Sequence, residues 1–184
     1  MYHDALQHLR KGDTLLYPSD TIWGLGCDAR NEKAVEKLYQ LKQRPDNKAF
    51  IILISKIEQL SEYVLDVPEI AWNLVEFAEK PLTVIYPQGK NIAPNLLGED
   101  GSIAIRLVKD EFCKGLVYKF ERAIVSTSAN ISGEPSPQKY EDISPKIIEN
   151  VDFILKNPKG ENKNVQPSQI VKLGIGGDFK FIRK

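Results

Sequence analysis

Tyr17 to Phe50 reads YPSDTIWGLGCDARNEKAVEKLYQLKQRPDNKAF, and the order of its parts sets the fold class. Leu15, Leu16 and Tyr17 end an apolar strand at Pro18, and Ser19, Asp20 and Thr21 make a hydroxyl-bearing, acidic turn before Gly24-Leu25-Gly26. Asn31 suits a helix N-cap, because its side-chain oxygen accepts an amide of the first turn. Ala34, Val35, Leu38 and Leu41 recur with helical spacing over 32–42. The helix stops at Lys42-Gln43-Arg44-Pro45, and an apolar run of strand type covers Phe50 to Ile54. Strand, turn, helix and strand predict an α/β architecture. Lys42 and Arg44, at a helix end closed by proline, can converge on one anion, with the Ser19–Thr21 turn able to hold a second, polar ligand. Such a pair is also what a plain solvated helix end favours, since cations there offset the C-terminal dipole.

Outward from this stretch, helices are predicted over 2–10, 57–63, 69–78, 111–120 and 143–150, with Pro145 in the first turn of the last. Strands are predicted over 14–17, 82–86, 102–107, 123–126, 151–155, 168–173 and 179–182. Several strand pairs lack a helix between them. That favours an open, twisted mixed sheet with flanking helices over a purely doubly wound one. Asn157 to Asn164 is polar and turn-rich and reads as a mobile loop.

The 184 residues fit one domain, 1–184, able to bury a core without disulfide or metal. Cys27 and Cys113 form no C-x-x-C pair and read as reduced thiols. His3 and His8 are the only histidines, so no zinc-ligand set exists and no metal site is expected. There is no signal-peptide core and no apolar run of ~20 residues to span a membrane, which predicts a soluble, cytoplasmic protein. Lys plus Arg equals Asp plus Glu at 25 each, so bulk charge announces no nucleic-acid partner. Lys33, Lys37, Lys42, Arg44 and Lys48 nonetheless cluster. Neither G-x-x-x-x-G-K-[ST] nor G-x-G-x-x-G is present, which excludes a P-loop or a dinucleotide-binding turn.

A second block, Ser126-Thr127-Ser128-Ala129-Asn130-Ile131-Ser132-Gly133-Glu134-Pro135-Ser136, follows the Ala123–Val125 strand. Ligands favour that end of strands in open α/β sheets. With the Tyr17–Arg44 segment it resembles the signature of the YrdC/TsaC family of threonylcarbamoyl-adenylate synthases, P-T-D-T-x-Y-G-L, K-x-R-P and S-x-S-A-N-x-S-G-x-P-S. Weaker echoes are Pro81-Leu82-Thr83, Arg106 after an apolar strand, and Pro167-Ser168-Gln169-Ile170-Val171. The chain departs from the pattern at Trp23 for tyrosine, at Ala49-Phe50 for proline-leucine, and at Val108 where R-x-P is usual.

The resemblance implies a YrdC-like sheet with a concave ligand-binding face, in a short form without the extra C-terminal domain of longer relatives. It implies synthesis of threonylcarbamoyl-AMP and pyrophosphate from L-threonine, bicarbonate and ATP, for modification of tRNA adenosine. Lys42 and Arg44 are then the catalytic cations. ATP would be held by Arg44, Lys48, Ser102, Ser128, Asn130, Ser136 and Arg183, and threonine by Thr21, Arg106, Ser126 and Ser168. Mg2+ is expected to travel with ATP, and partner proteins to carry the intermediate to tRNA. The alternative is a non-catalytic module that binds double-stranded RNA or tRNA through the Lys33–Lys48 cluster.

Overall fold

A computed structural model describes residues 2–44, 50–157, 167–174 and 176–183. Helix α1 (His3–Lys11) leads into strands β1 (Leu15–Tyr17) and β2 (Gly24–Gly26), then α2 (Glu32–Lys42) and β3 (Ile51–Ile54). Two short helices follow, α3 (Leu60–Tyr63) and α4 (Glu69–Glu76), then β4 (Leu82–Tyr86) and β5 (Ile103–Leu107). Helix α5 (Glu111–Phe120), β6 (Ile124–Ser128), α6 (Pro145–Asn150), β7 (Phe153–Ile154), β8 (Gln169–Leu173) and β9 (Phe179–Arg183) complete the order.

Local chemistry sets these limits. Gly12 ends α1 with φ 82, a left-handed turn that glycine adopts without strain. The Asn31 side chain accepts from the Ala34 amide at 3.1 Å, the expected N-cap of α2. Asp110 does the same for α5, accepting from Phe112 and Cys113 at 3.1 and 3.0 Å. Pro145 opens α6, two residues later than the sequence reading placed it.

The nine strands of the described residues form one mixed sheet in the order β7-β1-β2-β6-β3-β5-β4-β8-β9. β1/β7, β3/β5 and β4/β8 pair in parallel, and the other five contacts are antiparallel. Strand β2 went unpredicted, because two glycines in three residues erase the alternating apolar signal. Its glycines answer a packing demand: a Cβ on Gly26 would lie 2.4 Å from the Val125 carbonyl oxygen.

Side chains alternate across a strand, so each face can be read from the register. Ile52, Ile54, Val84, Tyr86, Ile103, Ile105, Val125, Val171 and Leu173 point to one face and bury a core with α2, α3, α4 and α6. On the opposite face, α1 and α5 cover one end, where Leu15, Tyr17, Leu53, Val108, Phe112, Leu116 and Ile124 make a second cluster. The rest of that face stays open. Pro158 to Asn164, most of the segment read as a mobile loop, lies outside the described residues.

Candidate active site

The open face holds a cavity of about 290 Å3. Its floor follows from strand register. Ser126 stands opposite Ile51, Ile51 beside Ala104, and Ala104 opposite Ile85, one row across four strands. The next row runs Arg106, Thr83, Ile170 and Arg183. Gly24 and Ser128 pair at the near rim, and Ser19, Thr21 and Ile22 form a wall from the turn after β1. Arg44, Phe50, Thr127, Ser136, Pro167 and Ser168 close the remainder.

Hydrogen bonds fix the turn at one end. Ser19 Oγ donates to the Ile22 carbonyl at 2.7 Å, accepts the Thr21 amide at 3.1 Å, and lies 2.9 Å from Thr21 Oγ1. Arg106, 4% exposed, donates to Thr21 Oγ1 at 3.2 Å and pairs with Asp20 Oδ1 at 3.1 Å. Both contacts fall on one guanidinium nitrogen, Nη1: Asp20 supplies the opposite charge and Thr21 the hydrogen bond. Across from Arg106 on the next strand, Thr83 Oγ1 and Ser168 Oγ are 2.8 Å apart, and Arg183 Nε donates to the Ser168 carbonyl at 2.8 Å. Burial, and then the neighbouring Arg106 charge, lower the pKa of the Arg183 guanidinium. Two cations converging on a cavity wall repel each other until an anion arrives between them.

Arg44 reaches the cavity by a backbone device. Gln43 adopts φ 49, a left-handed cap, and the Gln43 and Arg44 amides donate to the Gln40 and Tyr39 carbonyls. The turn places the Arg44 guanidinium 4.9 Å over the Phe50 ring, which itself stacks 4.3 Å from Tyr39. This aromatic ladder gives Phe50, one of the two odd residues at the motif's proline-leucine, a clear use: it seats Arg44.

Of the residues singled out in sequence, Thr21, Arg44, Arg106, Ser126, Ser128, Ser136, Ser168 and Arg183 come together in this one cavity. Three do not line it. Ser102, at the head of β5, donates its backbone N–H to Asp100 Oδ1 at 3.1 Å. Asn130 turns its amide to the Ile131 and Glu134 carbonyls at 2.9 and 2.7 Å. Lys42 requires a correction: it is not an exposed cation but 1% exposed. Positions i and i+2 at a helix end point apart, so Lys42 turns inward where Arg44 turns to the cavity. Its ammonium donates to the Ser128 and Asn130 carbonyls at 2.5 and 2.6 Å. Burial, helped by the Arg44 charge, pulls its pKa down to about 7. Lys48 and Ala49 lie outside the described residues.

Sequence reasoning missed Asp20, Thr83 and Phe50 as parts of the site. Val108 has its own account: its N–H donates to the Ile54 carbonyl at 3.0 Å, a bond proline would forfeit. Trp23 packs against Tyr140 with centroids 5.3 Å apart, in place of the usual phenol.

The cavity wall carries three guanidiniums and several hydroxyls, and among the described residues no carboxylate, histidine or cysteine. Such a wall binds anions and positions them; it holds no nucleophile with an adjacent base. No group of three metal-ligating side chains occurs among the described residues either. Fold and site define an open-sheet protein with one guanidinium-lined cleft whose chemistry suits small anionic ligands.

The chain belongs to the Sua5/YciO/YrdC family, whose model, described as "Telomere recombination", matches residues 7–184. It is 33% identical over 179 residues to a threonylcarbamoyl-AMP synthase of Pseudoalteromonas translucida, covering 96% of this chain and 95% of that one. Among solved structures it resembles a double variant of P. abyssi Sua5, with TM-score 0.84 and 30% identity, over 92% of this chain and 52% of that one. P. abyssi Sua5 complexed with L-threonine superposes with TM-score 0.82 at 29% identity, over 92% of this chain and 50% of its own. The chain thus spans about half the length of the P. abyssi protein and nearly all of the P. translucida one.

Proposed function

We propose that the protein is a threonylcarbamoyl-AMP synthase that binds L-threonine and ATP in the cavity on the open sheet face. The observation that carries this reading is the pairing of Arg106, held by Asp20 and Thr21, with a second cationic group, Arg44, inside one cleft whose described lining residues include no acid. Arg106, with Thr21, Ser126 and Ser168, suits an amino-acid carboxylate and its polar neighbours, since a guanidinium forks onto two oxygens. Arg44, Ser128, Ser136 and Arg183 suit a polyphosphate. Lys48, Ser102 and Asn130 stay candidates for the nucleotide by family pattern alone.

The reaction joins the threonine amine and bicarbonate to a carbamate with loss of water. A carbamate oxygen attacks the α-phosphorus of ATP, the bond to the bridging oxygen breaks, and pyrophosphate leaves with the electron pair. The protein's part is to align the two anions and neutralise the charge that builds on the leaving group. Mg2+ would come as the counter-ion of ATP, since among the described residues the cavity wall carries no carboxylate to hold it. The product is destined for tRNA in the cytoplasm, with partner proteins making the transfer. The RNA-binding alternative gains nothing: Lys42 is buried, Arg44 lines the cavity, and Lys37 lies within 4 Å of Asp13 and Asp152, at 3.9 and 3.8 Å. Pyrophosphate release is the test. It should require threonine, bicarbonate and ATP together, and release without threonine would reject the reading.

A further inference from the structure

Lys42 is a buried cation with no carboxylate partner among the described residues, and that arrangement is costly unless the ammonium does something specific. Among the described residues, its side-chain bonds go to one loop. Nζ donates to the carbonyls of Ser128 and Asn130, while the Lys42 carbonyl accepts the Ser132 amide at 2.9 Å. Side chain and main chain of one residue thus grip residues 128 to 132 from below. The Ala129 amide adds a bond to the Trp23 carbonyl at 2.9 Å, so the turn is also tied to the wall that carries Thr21. Ser128 lines the cavity on its upper side, two residues from Asn130, whose amide braces the Glu134 end of the same loop.

We propose that Lys42 is a positioning residue that clamps the Ser128–Ser132 turn as the fixed wall of the nucleotide subsite, acting through Ser128 rather than on the ligand. This rests on the ATP site proposed above. Two backbone carbonyls pulled toward Nζ set the direction of the Ser128 side chain and of the following turn toward Ser136. Arg44, two residues on, works from the same helix end by direct charge. One helix terminus therefore supplies both a contact and the scaffold opposite it. Methionine, of nearly equal volume, keeps the packing but releases both carbonyls.

The test compares ligand affinities of full-length wild type and Lys42→Met by calorimetry. ATP binding should weaken tenfold or more, with threonine affinity within twofold. In a double-variant cycle with Ser128→Ala, the combined loss of ATP affinity should be clearly smaller than the product of the two single losses. Multiplying losses would mean that Lys42 touches the nucleotide itself, and would overturn the clamp. So would unchanged ATP affinity, or equal loss of both ligands together with a lower melting temperature, which marks a merely structural role. Should Lys42→Met fail to fold, Lys42→Gln, which keeps an amide donor without the charge, carries the same comparison. A wild type that binds no ATP removes the proposed function; an ATP-binding wild type with an indifferent Lys42→Met removes only the clamp.

Discussion

Arg106 shows how far one side chain depends on its neighbours. Strand β5 sends Ile103 and Ile105 into the core, so Arg106 must face the cavity, and a lone buried guanidinium there would be prohibitive. Asp20 and Thr21 make it tolerable. Arg106→Lys should therefore raise the KM for threonine at least tenfold and leave that for ATP nearly unchanged, because an ammonium keeps the charge and loses the fork. Steady-state kinetics with each substrate varied in turn decide it, and an effect confined to ATP would reverse the assignment of the two subsites. Asp20→Ala, which leaves Arg106 buried and unpaired, should cost roughly 3 kcal/mol of stability in urea unfolding. Lys42 carries a pH signature. Its folded pKa, about 7, lies below the ordinary value of 10.5, so the folded state binds fewer protons between those limits and stability rises with pH across them. Wild type should gain stability over Lys42→Met from pH 7 toward pH 10, and a flat difference in denaturant curves across that range would contradict the burial of the charge.

At the scale of elements, the end of α2 does the most. Gln43 sits in a left-handed conformation that costs a non-glycine residue about 1 kcal/mol, yet it swings Arg44 onto the Phe50 ring. Gln43→Gly should raise stability by about 0.5–1 kcal/mol without loss of activity, read from thermal unfolding and turnover together. A drop in turnover would show that the stiffness of the cap matters to Arg44. The sequence offered more on this element than a count of cations used. Lys42 follows Leu38 by four residues and Val35 by seven, so it stands on the inward stripe of the helix, and that spacing alone marks it as buried. Asn31 and Pro145 announced their helices openly. Strand β2 did not, since Gly24 and Gly26 serve close approach to Tyr17 and Val125 rather than any pattern of hydrophobicity.

For the whole molecule, the open mixed sheet with flanking helices was readable from the chain, and eight of the residues singled out in sequence line the cavity, fewer than half of its wall. Alternation in β5 and the two motif blocks gave Arg106, Ser126 and Ser128 on β5 and β6, and Thr21, Arg44 and Ser136 on the segments between strands, which the fold brings to one cavity wall. Strand order was not readable, because pairings such as β2 with β6 join segments a hundred residues apart and depend on shape complementarity. Nor was the partnership of Asp20 with Arg106, or of Thr83 with Ser168, each 85 or more residues distant. Those contacts turn a list of motif residues into one cleft, in which we propose a carboxylate end and a phosphate end. The chemistry assigned to that cleft is the central claim, and carbon from bicarbonate tests it most directly. Incubated with threonine, ATP and 13C-bicarbonate, the wild-type protein should yield an adenylate heavier by one carbon label, with Arg44→Ala and Arg106→Lys making far less. Pyrophosphate release with no labelled threonylcarbamoyl adenylate in the mass spectrum would contradict it.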